Sequence, residues 1–332
     1  QGAGAAMARP RRPHARPGDR LTGHEQAQQV PIQGRFDRGF VPDPVPFVGS
    51  TRIVDFAIAN LANSGIRQIL VLAQYKPDSL VEHLRRHWSP VFASSGRHLR
   101  VVMPRSDAPA DRFTGTADAV AKSSEHWLAL RPRRVAIFAA DHVYRMDVGQ
   151  MLAAHRRAGA AITVAAMPVP LSEAPAFGVL RTDADDRVVG FEEKPARPCS
   201  MPGRPGLAYA SMGNYVFDVR ALRDALRIAA TDGHVDFGRD VLPAAIGRER
   251  VVAYDFTTNR IPGAAGAEPY WRDVGTLESL ELARAEVSGP DAPIRIEDPV
   301  WPIRPLAPRP GYARQDARRH REERAPAGHP NG

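Results

Sequence analysis

The run Arg134-Val-Ala-Ile-Phe-Ala-Ala140, closed by Asp141, constrains the fold more than any other segment. A short, unbroken apolar run reads as a strand buried on both faces, which requires helices above and below a mostly parallel sheet. Open sheets of that kind bind ligands beyond the carboxyl ends of their strands, and Asp141 stands at such an end. A second carboxylate, Asp273 in Tyr270-Trp-Arg-Asp-Val-Gly-Thr276, is expected to meet it across a cleft. Two carboxylates around a divalent cation suit chemistry at nucleotide phosphates, because the ion neutralises crowded negative charge and aligns the reacting groups. The plainer alternative has Asp141 capping a loop and Asp273 paired with Arg272.

Strand and helix signals alternate around this run. Helices are predicted over 52–63, 78–88, 116–130 and 148–159, with Gly65 just past the end of the first. A buried strand is predicted over 67–74, and further strands over 99–104 and 161–168. The rhythm then changes to a hairpin, 178–182 with 187–192, around the turn-rich Asp183-Ala-Asp-Asp186. A strand over 210–217, helices over 219–228 and 240–246, a strand over 251–256 and a helix capped by Thr276 complete the pattern. The expected fold is α/β, a doubly wound, mostly parallel sheet. Its expected extent is residues 43–303, flanked by irregular basic tails over 1–42 and 304–332.

Charge separates the tails from the middle. Each tail carries seven arginines against three acids, so together they account for the whole net charge of +8. The middle is neutral, and the tails are Pro-rich without interleaved aromatics, so solvated tails are the expected reading and no nucleic-acid partner is assigned. The single cysteine, Cys199, excludes a disulfide framework and a Cys-based zinc site. No apolar run is long enough to span a membrane, and the basic amino terminus lacks an apolar core of the secretory kind. The cytoplasm is the expected compartment, with no membrane association.

Three further clusters suggest ligand chemistry. Lys194, in Glu192-Glu-Lys-Pro195, follows a predicted strand and can meet a substrate phosphate as a point charge, with Glu193 accepting from sugar hydroxyls. It is one of only three lysines in the chain, Lys76, Lys122 and Lys194. A solvated charged turn is the common alternative. Gly115-Thr-Ala-Asp-Ala-Val120 places small residues at a helix start, where a ring or phosphate can approach closely. Simple capping by Thr116 accounts for it equally well. Ser211, in an apolar strand, can reach a hydroxyl or satisfy local backbone groups. His83, His87 and Trp88 read as a helix surface rather than a metal site.

Together these residues resemble the glucose-1-phosphate adenylyltransferases of bacterial glycogen synthesis. The resemblance runs over roughly 45–303 and rests on ordered segments: Arg52-Ile-Val-Asp-Phe-Ala57, Asn63-Ser-Gly-Ile-Arg67, Gln74-Tyr-Lys76, Gly115–Val120, Asp141-His-Val-Tyr-Arg-Met-Asp147, Phe177-Gly-Val179, Glu193-Lys-Pro195, Ala210-Ser-Met-Gly213, Asp236-Phe-Gly-Arg-Asp240, Glu268–Thr276 and Trp301-Pro-Ile303. It implies the Rossmann-like fold of nucleotide-diphospho-sugar transferases. It implies ATP and glucose 1-phosphate as substrates, Mg²⁺ as cofactor, and ADP-glucose and diphosphate as products. Asp141 and Asp273 would hold the metal and, with Lys194, form the catalytic set. Gly178, Glu193, Lys194, Ser211 and Asp273 would bind the sugar phosphate. Gln74, Gly115 and Thr116 would lie near the nucleotide.

The chain also departs from that pattern. Family members carry Gly-Gly-x-Gly-x-Arg-Leu and a Lys-Pro pair before Val-Pro-Phe. Here Gly18-Asp-Arg-Leu-Thr-Gly23 and Pro42-Asp43-Pro44 stand ahead of Val45-Pro-Phe47, and Arg112-Phe113 replaces a Trp-Tyr pair. No apolar first strand is legible before Val45, and the tail after Trp301 does not resemble the family's carboxyl-terminal β-helix. The abrupt composition shifts suggest an altered reading frame at each end. Weak or absent activity is therefore expected, and the family's homo-oligomer is not assigned to this chain. The alternative is a non-catalytic sugar-phosphate-binding or regulatory relative. A relative using UTP or dTTP shares the fold, but Asp141-His-Val-Tyr and Tyr270-Trp-Arg-Asp favour the ADP-glucose branch.

Overall fold

Alternate residues of the central strands go to opposite sides of one sheet. The computed structural model describes residues 30–33, 46–74, 77–264 and 268–304. In β2 (Gln68–Leu72) Ile69 and Val71 pack into one core cluster, while Leu70 and Leu72 pack into another. In β4 (Arg134–Ala139) Ala136 and Phe138 join the first cluster, and Val135 and Ile137 the second. With both faces covered, the strands can be apolar throughout, as the sequence has them.

The sheet has nine strands among the described residues. Besides β2 and β4 they are β1 (Val30–Gln33), β3 (His98–Val102), β6 (Ile162–Pro170), β7 (Gly178–Thr182), β8 (Val188–Glu193), β9 (Leu207–Asp218) and β10 (Val251–Asp255). The order is β10-β6-β9-β4-β1-β2-β3, with β7 and β8 forming a hairpin that joins β9 through β7. Strands β4, β1, β2 and β3 run parallel, as do β6 and β10. The sheet is more mixed than the sequence predicts, because β9 lies antiparallel between β4 and β6. A small second sheet pairs β5 (His142–Tyr144) with β11 (Trp271–Asp273).

The β1 strand corrects the sequence reading. Val30–Gln33 pairs in parallel with both β2 and β4, so a central strand lies within the segment expected to be an irregular tail. Gly18–Gly23, residues 42–45, Tyr75, Lys76 and the segment after Arg304 lie outside the described residues.

One helical layer holds α1 (Ile53–Asn63), α2 (Pro77–His87), α3 (Ser89–Ser94), α6 (Val148–Arg157) and α9 (Leu277–Ser288). The other holds α4 (Thr116–Lys122), α5 (Ser124–Leu128), α7 (Val219–Asp232) and α8 (Leu242–Ile246). Helix α1 is buried on every side from Val54 to Ala62. Its Asn60 amide donates to the Tyr144 carbonyl and accepts from Met146 N–H and Trp301 Nε1. That residue therefore ties α1 to the end of β5 and to the Trp301 segment.

Two expectations fail in detail. The predicted helix 116–130 breaks at Ser123 into α4 and α5. His83 and Trp88, read as helix surface, are buried and both donate to Asp55, each at 2.7 Å. A buried carboxylate needs such donors to offset lost hydration. Among the described residues, no helix is long and apolar enough to cross a membrane.

Candidate active site

A cleft of about 410 Å³ opens beyond the carboxyl end of β4. Its geometry begins with a bulge in β9. Between Ser211 and Tyr215 the pairing with β6 shifts, and Gly213 takes φ of 66°. The bulge aims the buried Asn214 at β4, whose last N–H, that of Ala139, donates to Asn214 Oδ1 at 3.1 Å. The chain then bends at residues 140–141 and re-enters the small sheet as β5.

There His142 sits directly opposite Asp273 on β11, so their side chains share one face. Asp141 lies in the bend just before β5, and its carbonyl accepts from Val274 N–H. His142 Nε2 lies 3.5 Å from Asp141 Oδ1 and 3.8 Å from Asp273 Oδ2. One donor atom from each of the three falls within 4.8 Å of the others, so the group could hold a metal ion. Gly275 N–H donates to Asp273 Oδ1 at 2.8 Å and fixes that carboxylate. Arg272 does not consume it: its guanidinium pairs with Glu286, beside the Tyr270 hydroxyl. Burial, with Glu286 alongside, pushes the Tyr270 phenol up to about 12.

The β7–β8 hairpin supplies the opposite wall. Gly178 faces Glu193 in register, and Val179 faces Ala210, the residue before Ser211. A Cβ at 178 would strike the tip of the Phe191 ring and come within 3.0 Å of Glu193 Oε2, so any larger residue there must displace those side chains. Lys194 follows with φ of 47°, a left-handed conformation that a lysine adopts at a cost. Its N–H donates to the Phe177 carbonyl at 3.0 Å, which turns the exposed side chain toward the cleft mouth.

A third wall forms where α4 begins. The Val235 carbonyl accepts from Ala117 N–H, and a Cβ on Gly115 would collide with that same carbonyl. The Thr116 hydroxyl donates to Asp236 Oδ2 and accepts from Phe237 N–H, both at 3.0 Å. It links two walls rather than capping its own helix, whose N-cap is Gly115. Asp236 also accepts from Gly238 and Arg239 N–H groups, capping a single π-helical turn, Phe237–Val241. Within that turn burial works against the charge of Asp240. The Arg239 guanidinium and the Val235 and Asp236 N–H groups outweigh it and hold the Asp240 pKa at about 2.

Of the residues singled out from the sequence, Gly115, Thr116, Asp141, Gly178, Glu193, Lys194, Ser211 and Asp273 all line this one cleft. Gln74 does not. Its amide donates to the Phe113 carbonyl and accepts from Phe113 N–H, so it braces the loop before α4. Sequence reasoning gave no role to His142, Asp236 or Tyr215, which line the cleft as well. The signal for Asp236 was present: an Asp two and three residues before N–H groups of a helical turn is an N-cap. Tyr215 is buried, and burial together with the nearby Asp236 charge raises its pKa, so it remains a neutral hydroxyl.

Four carboxylates (Asp141, Glu193, Asp236 and Asp273) thus surround the cleft, with Lys194 and Arg239 as its cations. The set suits a metal ion, a hydroxylated ring and a phosphate in one place. The family model for nucleotidyl transferases matches residues 38–288, which contain every one of these side chains. The chain belongs to the nucleotidyl transferase family. Among its relatives is a glucose-1-phosphate adenylyltransferase of Thermodesulfovibrio yellowstonii, 45% identical over 264 residues, which are 79% of this chain and 64% of the relative. Glucose-1-phosphate adenylyltransferase 2 of Alkalilimnicola ehrlichii is 42% identical over 78% of this chain and 61% of its own length. Glucose-1-phosphate adenylyltransferase 1 of Vibrio vulnificus is 40% identical over 80% and 65%. This nucleotidyl transferase therefore spans somewhat under two thirds of the length of the curated relatives it matches.

Proposed function

We propose that the cleft catalyses transfer of the adenylyl group of ATP to glucose 1-phosphate, giving ADP-glucose, the glucosyl donor of glycogen synthesis, and diphosphate. The observation that carries this reading is the placement of Asp141 and Asp273 across one cleft from Glu193, Lys194 and Ser211. The names of the relatives supply the substrates.

The donor set of two carboxylates and an imidazole fits a divalent cation, and Asp141 and Asp273 would hold Mg²⁺. Bound there, the ion would neutralise charge at the α-phosphate of the nucleotide. The protein's own groups do the positioning. Lys194 pairs with the sugar phosphate, leaving one phosphate oxygen directed at the α-phosphorus. Glu193 accepts from sugar hydroxyls, Ser211 adds a neutral partner, and the bare Gly178 backbone leaves room for the ring. The P–O bond to diphosphate breaks as the new P–O bond forms. The Thr116–Asp236 link keeps the start of α4 against the Phe237–Val241 turn while this happens.

The non-catalytic reading draws on one observation, the Gly18–Gly23 and Pro42–Pro44 departures from the family's triphosphate-binding pattern. Loss of even one preorganised donor costs on the order of 100-fold in rate, so turnover is expected to be low. Diphosphate release by the purified chain with Mg²⁺, ATP and glucose 1-phosphate tests both. Release that disappears in Asp141→Asn supports the transferase. Calorimetric binding of glucose 1-phosphate without release would favour the non-catalytic relative.

A further inference from the structure

The family reading needs only the two carboxylates at the metal, yet the structure sets a histidine between them. His142 is 6% exposed and points Nε2 at Asp141 Oδ1 and Asp273 Oδ2, 3.5 and 3.8 Å away. Ligands of an octahedral ion bonded at about 2.1 Å lie roughly 3 Å apart at right angles and roughly 4.2 Å apart when opposed. The three donor atoms, all within 4.8 Å of one another, need only small side-chain rotations to close on one ion.

The imidazole is also held for that purpose. Its strand position opposite Asp273 fixes the side from which it enters. The Trp271 ring meets it edge to face, with centroids 5.4 Å apart and planes at 83°. On another side lies Gly213, where an added Cβ would stand 3.7 Å from His142 Cε1. The ring therefore packs in ordinary van der Waals contact against the β9 bulge. A ring clamped in this way loses little freedom on binding an ion.

We infer that His142 is a third ligand of the cation bound by Asp141 and Asp273, and that its nitrogen biases the site toward Mn²⁺ and Co²⁺ over Mg²⁺. Mg²⁺ favours oxygen donors and keeps much of its water, whereas imidazole strengthens binding in the order Mn²⁺ below Co²⁺. The inference rests on the metal site proposed above and adds the ligand that sets its preference. It does not require Mg²⁺ to be inactive.

The test is pulsed electron paramagnetic resonance on the full chain loaded with Mn²⁺ alone. Wild type is expected to show coupling of the bound Mn²⁺ to an imidazole nitrogen, lost in His142→Asn and in His142→Gln. The ratio of Co²⁺ to Mg²⁺ affinity, measured by titration within each protein, should fall about tenfold or more in those variants. A ratio is used because a general loosening of the fold lowers both affinities together. Asp141→Asn is the reference. If Mn²⁺ binding vanishes in Asp141→Asn but wild type shows no nitrogen coupling, His142 is not a ligand and this inference alone falls. If Asp141→Asn leaves Mn²⁺ binding unchanged, the metal site itself is misplaced and both readings fall. An unchanged Co²⁺ to Mg²⁺ ratio in both His142 variants likewise overturns the bias.

Discussion

Lys194 carries two burdens at one position, a left-handed backbone and a charge at the cleft mouth. The two can be separated by Lys194→Gly. Glycine relieves about 1 kcal/mol of left-handed strain but frees the unfolded chain by a similar amount, so the melting temperature should barely move. Affinity for glucose 1-phosphate should fall about 10–100-fold, as expected for losing a charge-assisted bond to phosphate. Calorimetry beside thermal melting checks this; unchanged affinity would remove Lys194 from the sugar-phosphate site. Gly115 makes the opposite case. A Cβ there meets backbone, the Val235 carbonyl, which cannot swing aside as a side chain can. Gly115→Ala should cost about 1–3 kcal/mol in denaturant titration and pull α4 from the Asp236 wall. A variant as stable as wild type would mean that the two walls are not packed as described.

At the scale of elements, the β9 bulge is the device that places Asp141. Its Asn214 holds the last N–H of β4 just before the bend. Asn214→Ala leaves that N–H without its acceptor and is expected to cost about 1–3 kcal/mol, with diphosphate release falling further than stability alone explains. Full activity in a folded Asn214→Ala protein would show that the bend holds without it. Such devices were not legible in the sequence, and the misses have physical causes. Val30-Pro-Ile-Gln33 is short and contains a proline, which argues against a central strand, yet β1 occupies one. The helix predicted over 116–130 contains the polar run Lys122–His126, which interrupts its apolar period. The break falls in that run, at Ser123, and the Trp127 indole donates to the Val120 carbonyl at 3.0 Å across it. An apolar run reveals burial but not direction, so the antiparallel course of β9 was hidden. What could be read was chemistry close to a strand end: Asp141, Lys194 and Asp273. Asp236 was legible as an N-cap, but its link to Thr116, 120 residues away, was not, and neither was the pairing of His142 with Asp273 across the small sheet.

Across the whole molecule, one buried histidine joins α6 of one helical layer to the sheet and to Asp218, the N-cap of α7 in the other. His155 on α6 shares a hydrogen bond of 2.8 Å with Thr163 on β6 and approaches Asp218, at the junction of β9 and α7, at 3.4 Å. Asp218 is also paired with Arg134 on β4. Burial lowers the His155 pKa, the Asp218 carboxylate opposes that shift, and the Arg134 charge adds to it. The net direction is downward, below the unfolded value of about 6.5. The unfolded chain therefore takes up this proton first as pH falls. Above about pH 7 the group makes no pH-dependent contribution; below about 6.5 it draws the equilibrium toward unfolding until the folded-state pKa is passed. Denaturant titrations at pH 8 and pH 5 should show stability falling toward acid, with a smaller fall in His155→Gln. That variant should start less stable at pH 8, since glutamine cannot reproduce both contacts. Equal pH dependence in the two proteins would mean that His155 titrates normally, and that the junction between the layers is wetter than its 1% exposure indicates.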